Sequence, residues 1–161
     1  MGIGKKGSES MAGVELTNMV MVEDKDTGCA LVQERVLSWK GLSFPGGHVE
    51  PCESFVASAV REVKEETGLD VWNLKSCGVI HWCNTRTNER YLVFLYKTAD
   101  FKGNLLPETE EGRVYWLPIE KLREIHSENH FEQYLPMFLE EGHNEAFAPY
   151  EQEDTHDFHL L

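Results

Sequence analysis

A mixed α/β domain is what this sequence predicts, on three observations. Runs of β-forming residues alternate with stretches of helical period, polar turns ending in glycine separate them, and no linker is long enough to divide the chain. Val14 to Val22 and Cys29 to Val36 flank the polar turn Glu23-Asp24-Lys25-Asp26-Thr27-Gly28 and read as a hairpin. Val71 to Trp82 and Tyr91 to Thr98 form a second pair of strands, and Arg113 to Leu117 a shorter strand with Val114 and Trp116 on one face. Helices are expected over Ser54 to Thr67, Ile119 to Ile125 and Phe131 to Glu141. Pro136 requires the last of these to kink or to begin late. From Glu145 onward no period is evident, and a loosely packed tail is expected.

With 161 residues the chain can bury one good core. No run of about 18 apolar residues occurs, so neither a membrane span nor a membrane partner is expected. The start, MGIGKKGSES, has no apolar stretch behind its lysines and does not read as a secretory signal. Residues 1–12 are expected to be a flexible tail ahead of a single domain at 13–161, with Met11 as an alternative start. The four cysteines show neither a CxxC pair nor zinc-ligand spacing, which suits a reducing cytoplasm. A net charge of -13 argues against binding nucleic acid through a broad basic surface. It also means that a polyphosphate ligand would need a cation between itself and the protein.

The chemistry-bearing stretch is Gly46-Gly47-His48-Val49-Glu50-Pro51-Cys52-Glu53 with the helix that follows. At about 100° per residue, Phe55, Val56, Ala59, Val60 and Val63 fall within an arc of roughly 140°, a normal buried face. Ser54 is a suitable N-cap and Gly68 a suitable residue to end the helix. Glu62, Glu65 and Glu66 share another arc of roughly 100°. The i,i+4 pair Glu62 and Glu66 repels by about 0.2–0.5 kcal/mol even in water, and Arg61 supplies one cation for three carboxylates. A solvated acidic face is the ordinary explanation of such a run. Two features weigh against it: a Gly-Gly turn brings backbone close to a ligand, and clustered carboxylates beside a backbone carbonyl make a hard oxygen site suited to Mg2+, with Mn2+ also fitting.

Gly47, five further residues, Glu53, seven further residues and then Arg61-Glu62-Val63-Lys64-Glu65-Glu66-Thr67-Gly68-Leu69 match the Nudix box at every specified position. The chain resembles the Nudix hydrolase family, MutT-type, over most of its length beyond the N-terminal tail. That resemblance implies an α/β/α sandwich around a mixed β-sheet, and metal-dependent cleavage of a phosphoanhydride bond in a nucleoside-diphosphate-linked substrate. It implies Glu62 and Glu66 as principal metal ligands, with Glu65 in or near the cluster and the Gly46 carbonyl as a backbone ligand. Arg61 matches the arginine that orients the glutamates, and Glu53 a residue that holds the loop or an outer metal. A further glutamate before a late Trp-bearing strand matches Glu110, with Glu111 and Glu108 as rivals. Which of Glu62, Glu65 and the late glutamate is the base stays open. Cys52 departs from the glycine common at its position, where a positive φ would cost about 1 kcal/mol or more.

For the substrate, four residues stand out. Phe44 borders the nucleobase in similar sequences or is plain core. Arg35 resembles a phosphate-contacting residue, and Arg90 an arginine near the base; both could equally be surface charges. Asn129 can read a purine edge, since its amide offers a donor and an acceptor, or can cap the segment that follows. LVQERVLSWKGLSFPGGHVEP and LPETEEGRVYWLP resemble bacterial proteins described as 8-oxo-dGTP diphosphatases, which implies release of a nucleoside monophosphate and pyrophosphate. ADP-ribose and other nucleoside diphosphate derivatives stay open, as does a homodimer. A nucleotide-sensing module without turnover is disfavoured by the intact Arg61, Glu62, Glu65 and Glu66. An isomerase of allylic diphosphates lacks a convincing Cys and Glu pair, Cys77 and Cys83 being the nearest cysteines.

Overall fold

The computed structural model describes residues 12–37, 39–106, 108–151 and 157–161; the tail expected at 1–12 lies outside them except for Ala12. The chain runs through β1 (Val14–Asp24), β2 (Cys29–Arg35), β3 (Gly41–Ser43), α1 (Phe55–Thr67), β4 (Asp70–Trp72), β5 (Lys75–Asn84) and β6 (Arg90–Thr98). It continues through β7 (Asp100–Lys102), β8 (Glu108–Thr109), β9 (Gly112–Pro118), α2 (Ile119–Leu122), α3 (Pro136–Leu139), β10 (Glu145–Tyr150) and β11 (His159–Leu160), with a 3-10 turn at Phe131–Gln133 before α3.

β1 and β2 form the expected hairpin. Asp24 closes its turn by accepting from the Asp26 N–H (3.0 Å) and the Thr27 hydroxyl (2.9 Å). The strands pair only beside the turn, Glu23 with Ala30 and Asp24 with Cys29, and then diverge. β1 pairs instead in parallel with β6, from Val14 with Arg90 to Val22 with Thr98. Its other edge accepts the segment before α1: the Asn18 and Val20 N–H groups donate to the Gly47 and Pro45 carbonyls (2.9 and 2.8 Å), and the Val49 N–H to Leu16 (2.9 Å). The parting of β1 from β2 thus makes the gap in which the Gly-Gly turn is held by backbone hydrogen bonds, which a buried polar backbone requires.

The main sheet runs β11-β10-β5-β6-β1-β2-β9-β8, with β3 added to β2. Alternation along the strands sends side chains to two cores. Val20, Val22, Leu31 and Val114 pack with Ala59 and Val63 of α1. On the other face Met21, Ala30, Val32, Ile80, Val93 and Leu95 pack with Leu122, Phe131, Tyr134 and Phe138. Helices therefore cover both faces, the α/β/α sandwich around a mixed sheet that the resemblance implied.

Four expectations are corrected. Val71 to Trp82 is not one strand: Asn73 adopts φ 53°, a left-handed conformation that asparagine tolerates better than most residues, and β4 leaves to pair with β7 outside the main sheet. The helix expected to Ile125 ends at Leu122. The helix expected over Phe131 to Glu141 begins late, at Pro136, as one of the two alternatives had it, but it stops at Leu139 and a 3-10 turn precedes it; the missing N–H of Pro136 costs nothing at a first helical position. The residues from Glu145 are not a loose tail: β10 pairs in parallel with β5 from Glu145 with Val79 to Tyr150 with Asn84, and Ala146 and Ala148 are fully buried. Pro149 is tolerated because β11 covers only Ala146 and Phe147, leaving the later residues of β10 at an edge.

Candidate active site

Both ends of α1 are capped as expected. Ser54 accepts from the Ala57 N–H (3.1 Å), and Gly68, at φ 79°, donates its N–H to the Lys64 carbonyl (2.9 Å). The buried stripe differs from the one drawn on the helical wheel. Phe55 and Val56 are exposed, Phe55 stacking on Phe94 at 3.9 Å, whereas Ser58, Ala59, Val63, Glu66 and Thr67 are buried. The docked face has rotated towards the C-terminal turn, carrying one carboxylate inside.

That carboxylate is held from the Gly-Gly turn: the Gly46 N–H donates to Glu66 Oε2 at 2.9 Å. Gly47 lies directly against Glu62, where an added Cβ would come within 2.6 Å of the carboxylate. At Gly46 an added Cβ would overlap the Asn18 carbonyl. Neither glycine can be replaced without moving the strand or the acid.

Arg61 organises the remaining acids. Its Nε and Nη2 grip both oxygens of Glu53 (each 2.9 Å), and Nη1 reaches Glu62 (2.8 Å) and Glu65 (3.2 Å). Nη2 also donates to the His48 carbonyl at 3.1 Å, tying helix to loop. Ser58 donates to that carbonyl (3.2 Å) and accepts from Asn18 Nδ2 (2.8 Å). The Arg61 guanidinium holds the Glu53 carboxyl down to about 2. Burial instead raises Glu62, against the pull of Arg61. Burial also pushes Glu66 up to about 7, opposed by the Gly46 N–H and by the charge of Arg35.

Among the described residues no three acidic, imidazole or thiol groups converge as a ready metal cluster. Arg61 and the Gly46 N–H draw the acids onto themselves. The donor set nevertheless fits a hard divalent cation. Two carboxylates whose charge burial opposes rest against the Gly46-Gly47 turn, and the Gly46 carbonyl accepts no hydrogen bond among the described residues.

A cavity of about 360 Å³ opens beside the turn, running from Gly46, Gly47 and His48 to Trp39, Trp82 and Tyr91. Arg35, Phe44 and Asn129 also line it. Phe44 is 1% exposed and packs edge-on against Phe131 and Phe138, each at 4.9 Å, so it is at once core and cavity wall. Among the described residues Asn129 caps no helix: its Oδ1 accepts from the Ser127 hydroxyl (2.6 Å), and its Nδ2 donates to the Leu42 carbonyl (2.8 Å), pinning the loop to β3. Arg35 pairs with Glu111 at 3.4 Å. Glu110 stands exposed in the turn between β8 and β9. Arg90 is not among the lining residues; its Nη1 lies 3.2 Å from His81 Nε2, and alternation turns it to the face opposite Tyr91. Sequence reasoning does not single out Trp39, Trp82 and Tyr91. Trp82 and Tyr91 are direct cross-strand neighbours, a pairing that becomes visible once the β5–β6 register is known.

Cys52, exposed, adopts φ 64°. Replacing it with glycine is expected to stabilise the fold by no more than about 1 kcal/mol in urea denaturation, since the αL penalty is removed while the greater freedom of glycine in the unfolded chain offsets part of the gain.

A family model for the NUDIX domain matches residues 16–138. YvcI of Bacillus subtilis (strain 168), described as an uncharacterized Nudix hydrolase, is 30% identical over 131 residues, 80% of this chain and 74% of YvcI. YtkD of the same organism, provisionally described as an 8-oxo-dGTP diphosphatase, is 56% identical over 39 residues, covering 24% of this chain and 25% of YtkD. The fold is similar to that of the MutT protein from Bacillus halodurans, with a TM-score of 0.77 at 20% identity over 91% of this chain and 97% of that one. The MutT protein from Methanosarcina mazei Go1 gives a TM-score of 0.67 at 19% identity over 81% of this chain and 96% of that one. With residues 16–138 matched and the box arranged around a Gly-Gly turn, the chain belongs to the Nudix hydrolase family, enzymes that hydrolyse nucleoside diphosphate derivatives.

Proposed function

We propose that the protein hydrolyses a nucleoside triphosphate, with 8-oxo-dGTP the leading candidate, to the nucleoside monophosphate and pyrophosphate. The observation that carries this reading is the continuity of the cavity, from the Gly46-Gly47 turn, against which Glu62 and Glu66 rest, to the aromatic group Trp39, Trp82 and Tyr91. Such a space suits a ligand with an anionic end and a flat aromatic end. The short but close match to YtkD supports the choice of nucleotide.

In this reading Gly46, Glu62 and Glu66 would hold Mg2+ or Mn2+, and Glu65 or a glutamate of the 108–111 segment, Glu110 among them, would complete the set. When bound, the cation would neutralise phosphate charge and lower the pKa of water. Arg61 keeps Glu62 and Glu53 fixed with respect to the loop. Arg35, on the cavity wall, is suited to the phosphate chain. The aromatic side chains take the base by stacking, while Asn129 and Phe44 shape the wall near it. Arg90, beside His81 and outside the cavity lining, takes no part in this reading.

A panel of 8-oxo-dGTP, dGTP, ATP and ADP-ribose with Mg2+, followed by chromatography of the products, tests the reading. Preference for 8-oxo-dGTP over dGTP is expected, and turnover of ADP-ribose alone would refute it. Trp39→Ala is expected to raise KM about tenfold with little change in kcat, because base stacking on an aromatic side chain is worth about 1–3 kcal/mol. Trp39 is 60% exposed, so its removal leaves the core intact.

A further inference from the structure

Gln33 is fully buried, and neither its Oε1 nor its Nε2 has a hydrogen-bond partner among the described residues. A buried amide without partners is costly, and an apolar side chain of the same size would fill the space without that cost. Its position is fixed by the sheet. Leu31, two residues earlier on β2, packs against α1, as does Val114, the register partner of Gln33 on β9, whereas Ala30 and Val32 face the other core. Alternation therefore points Gln33 under α1, where Glu66 is the buried acid. Its other register partner, Ser43, leads through Phe44 and Pro45 to Gly46, whose N–H holds Glu66. The amide is also near enough to favour the charged form of Glu66, although no formed hydrogen bond joins the two.

We infer that Gln33 is a positioning residue for Glu66, its buried amide fixing the carboxylate when that carboxylate takes a divalent cation. The inference rests on the cation site proposed above. Gly46 holds one oxygen of Glu66, and Gln33 supplies a donor from the sheet side, so that the acid is oriented from two directions. The orphaned amide of the resting protein gains its partner as the acid takes the cation. Partners of metal ligands commonly change metal affinity about 10–100-fold when removed.

Mn2+ binding to the full-length protein, read from the electron paramagnetic resonance of free Mn2+, tests this without reference to turnover. Gln33→Leu is expected to weaken Mn2+ binding about tenfold. Without metal it should melt no lower than wild type, because two orphaned atoms are removed. In the Glu66→Gln background, Gln33→Leu should cause no further loss. Gln33→Met, closer in length, is expected to behave as Gln33→Leu. Three results would overturn the inference: unchanged Mn2+ affinity in Gln33→Leu, an equal loss with or without Glu66, or melting of both variants well below wild type in the absence of metal. A wild-type protein that binds no Mn2+ would defeat the cation site itself. Loss of binding in Glu66→Gln but not in Gln33→Leu would defeat only the role of Gln33.

Discussion

Glu66→Gln is expected to lower kcat/KM by about a hundredfold or more, and Glu62→Gln to do the same, as the loss of a charged ligand of the proposed cation would cause. Both substitutions keep the shape of the side chain. The amide oxygen introduced at position 66 can still accept from the Gly46 N–H. The one introduced at position 62 can still fit against Gly47 and accept from Arg61, so loss of activity would report charge and not collapse. The change at Glu66 has an opposite effect on the metal-free fold. Burial raises Glu66 from 4.5 to about 7, so the folded state binds its proton more tightly than the unfolded chain. The cost of burying this acid is absent below the unfolded value, grows as pH rises between the two, and is complete above about 7. In chelator, the melting temperature of the wild type should therefore fall across that window, and Glu66→Gln should remove its part of the fall. Differential scanning at a series of pH values measures both. Near-wild-type turnover by Glu62→Gln and Glu66→Gln together would exclude these acids from the site.

Arg61→Lys is expected to lower kcat/KM by about 10- to 100-fold, with weaker metal binding, although the positive charge is kept. The guanidinium spans both oxygens of Glu53, one of Glu62, one of Glu65 and the His48 carbonyl, all at 3.2 Å or less. An ammonium is a single point with three donors and cannot reproduce the planar fork on Glu53 while reaching the loop carbonyl. Glu62, which burial already pushes towards its neutral form, would lose its fixed partner. Steady-state kinetics with Mg2+ titration separates lost metal affinity from lost rate. A lysine variant equal to wild type in both would show that charge alone suffices at this position.

The parts of the fold written in local sequence can be read from it. The β1–β2 turn, the capped helix α1 and the box all depend on residues within a few positions of one another. What escapes depends on distant pairing. The burial of Glu66 follows from how the last turn of α1 docks beneath the Gly-Gly turn, which the helical wheel cannot show. The aromatic wall needs Trp82 opposite Tyr91, a matter of strand register. β10 is hidden in the sequence because its inward residues are Ala146 and Ala148, too small to mark an apolar face, with Pro149 beside them. At the site, Arg61 with Glu53, Glu62 and Glu65 forms one connected cluster. Arg35, Phe44 and Asn129 line one cavity, while Arg90 faces away from it and Glu110 stands in an exposed turn.

Metal-dependent cleavage of a phosphoanhydride bond at the Gly46, Glu62 and Glu66 site is tested most directly by following products from 8-oxo-dGTP and dGTP with Mg2+, with excess chelator, and with Mg2+ restored. Nucleoside monophosphate and pyrophosphate are expected in equal amounts with Mg2+, none with chelator, and full recovery on restoration. Equal turnover in chelator, or release of inorganic phosphate alone as the first product, would contradict it.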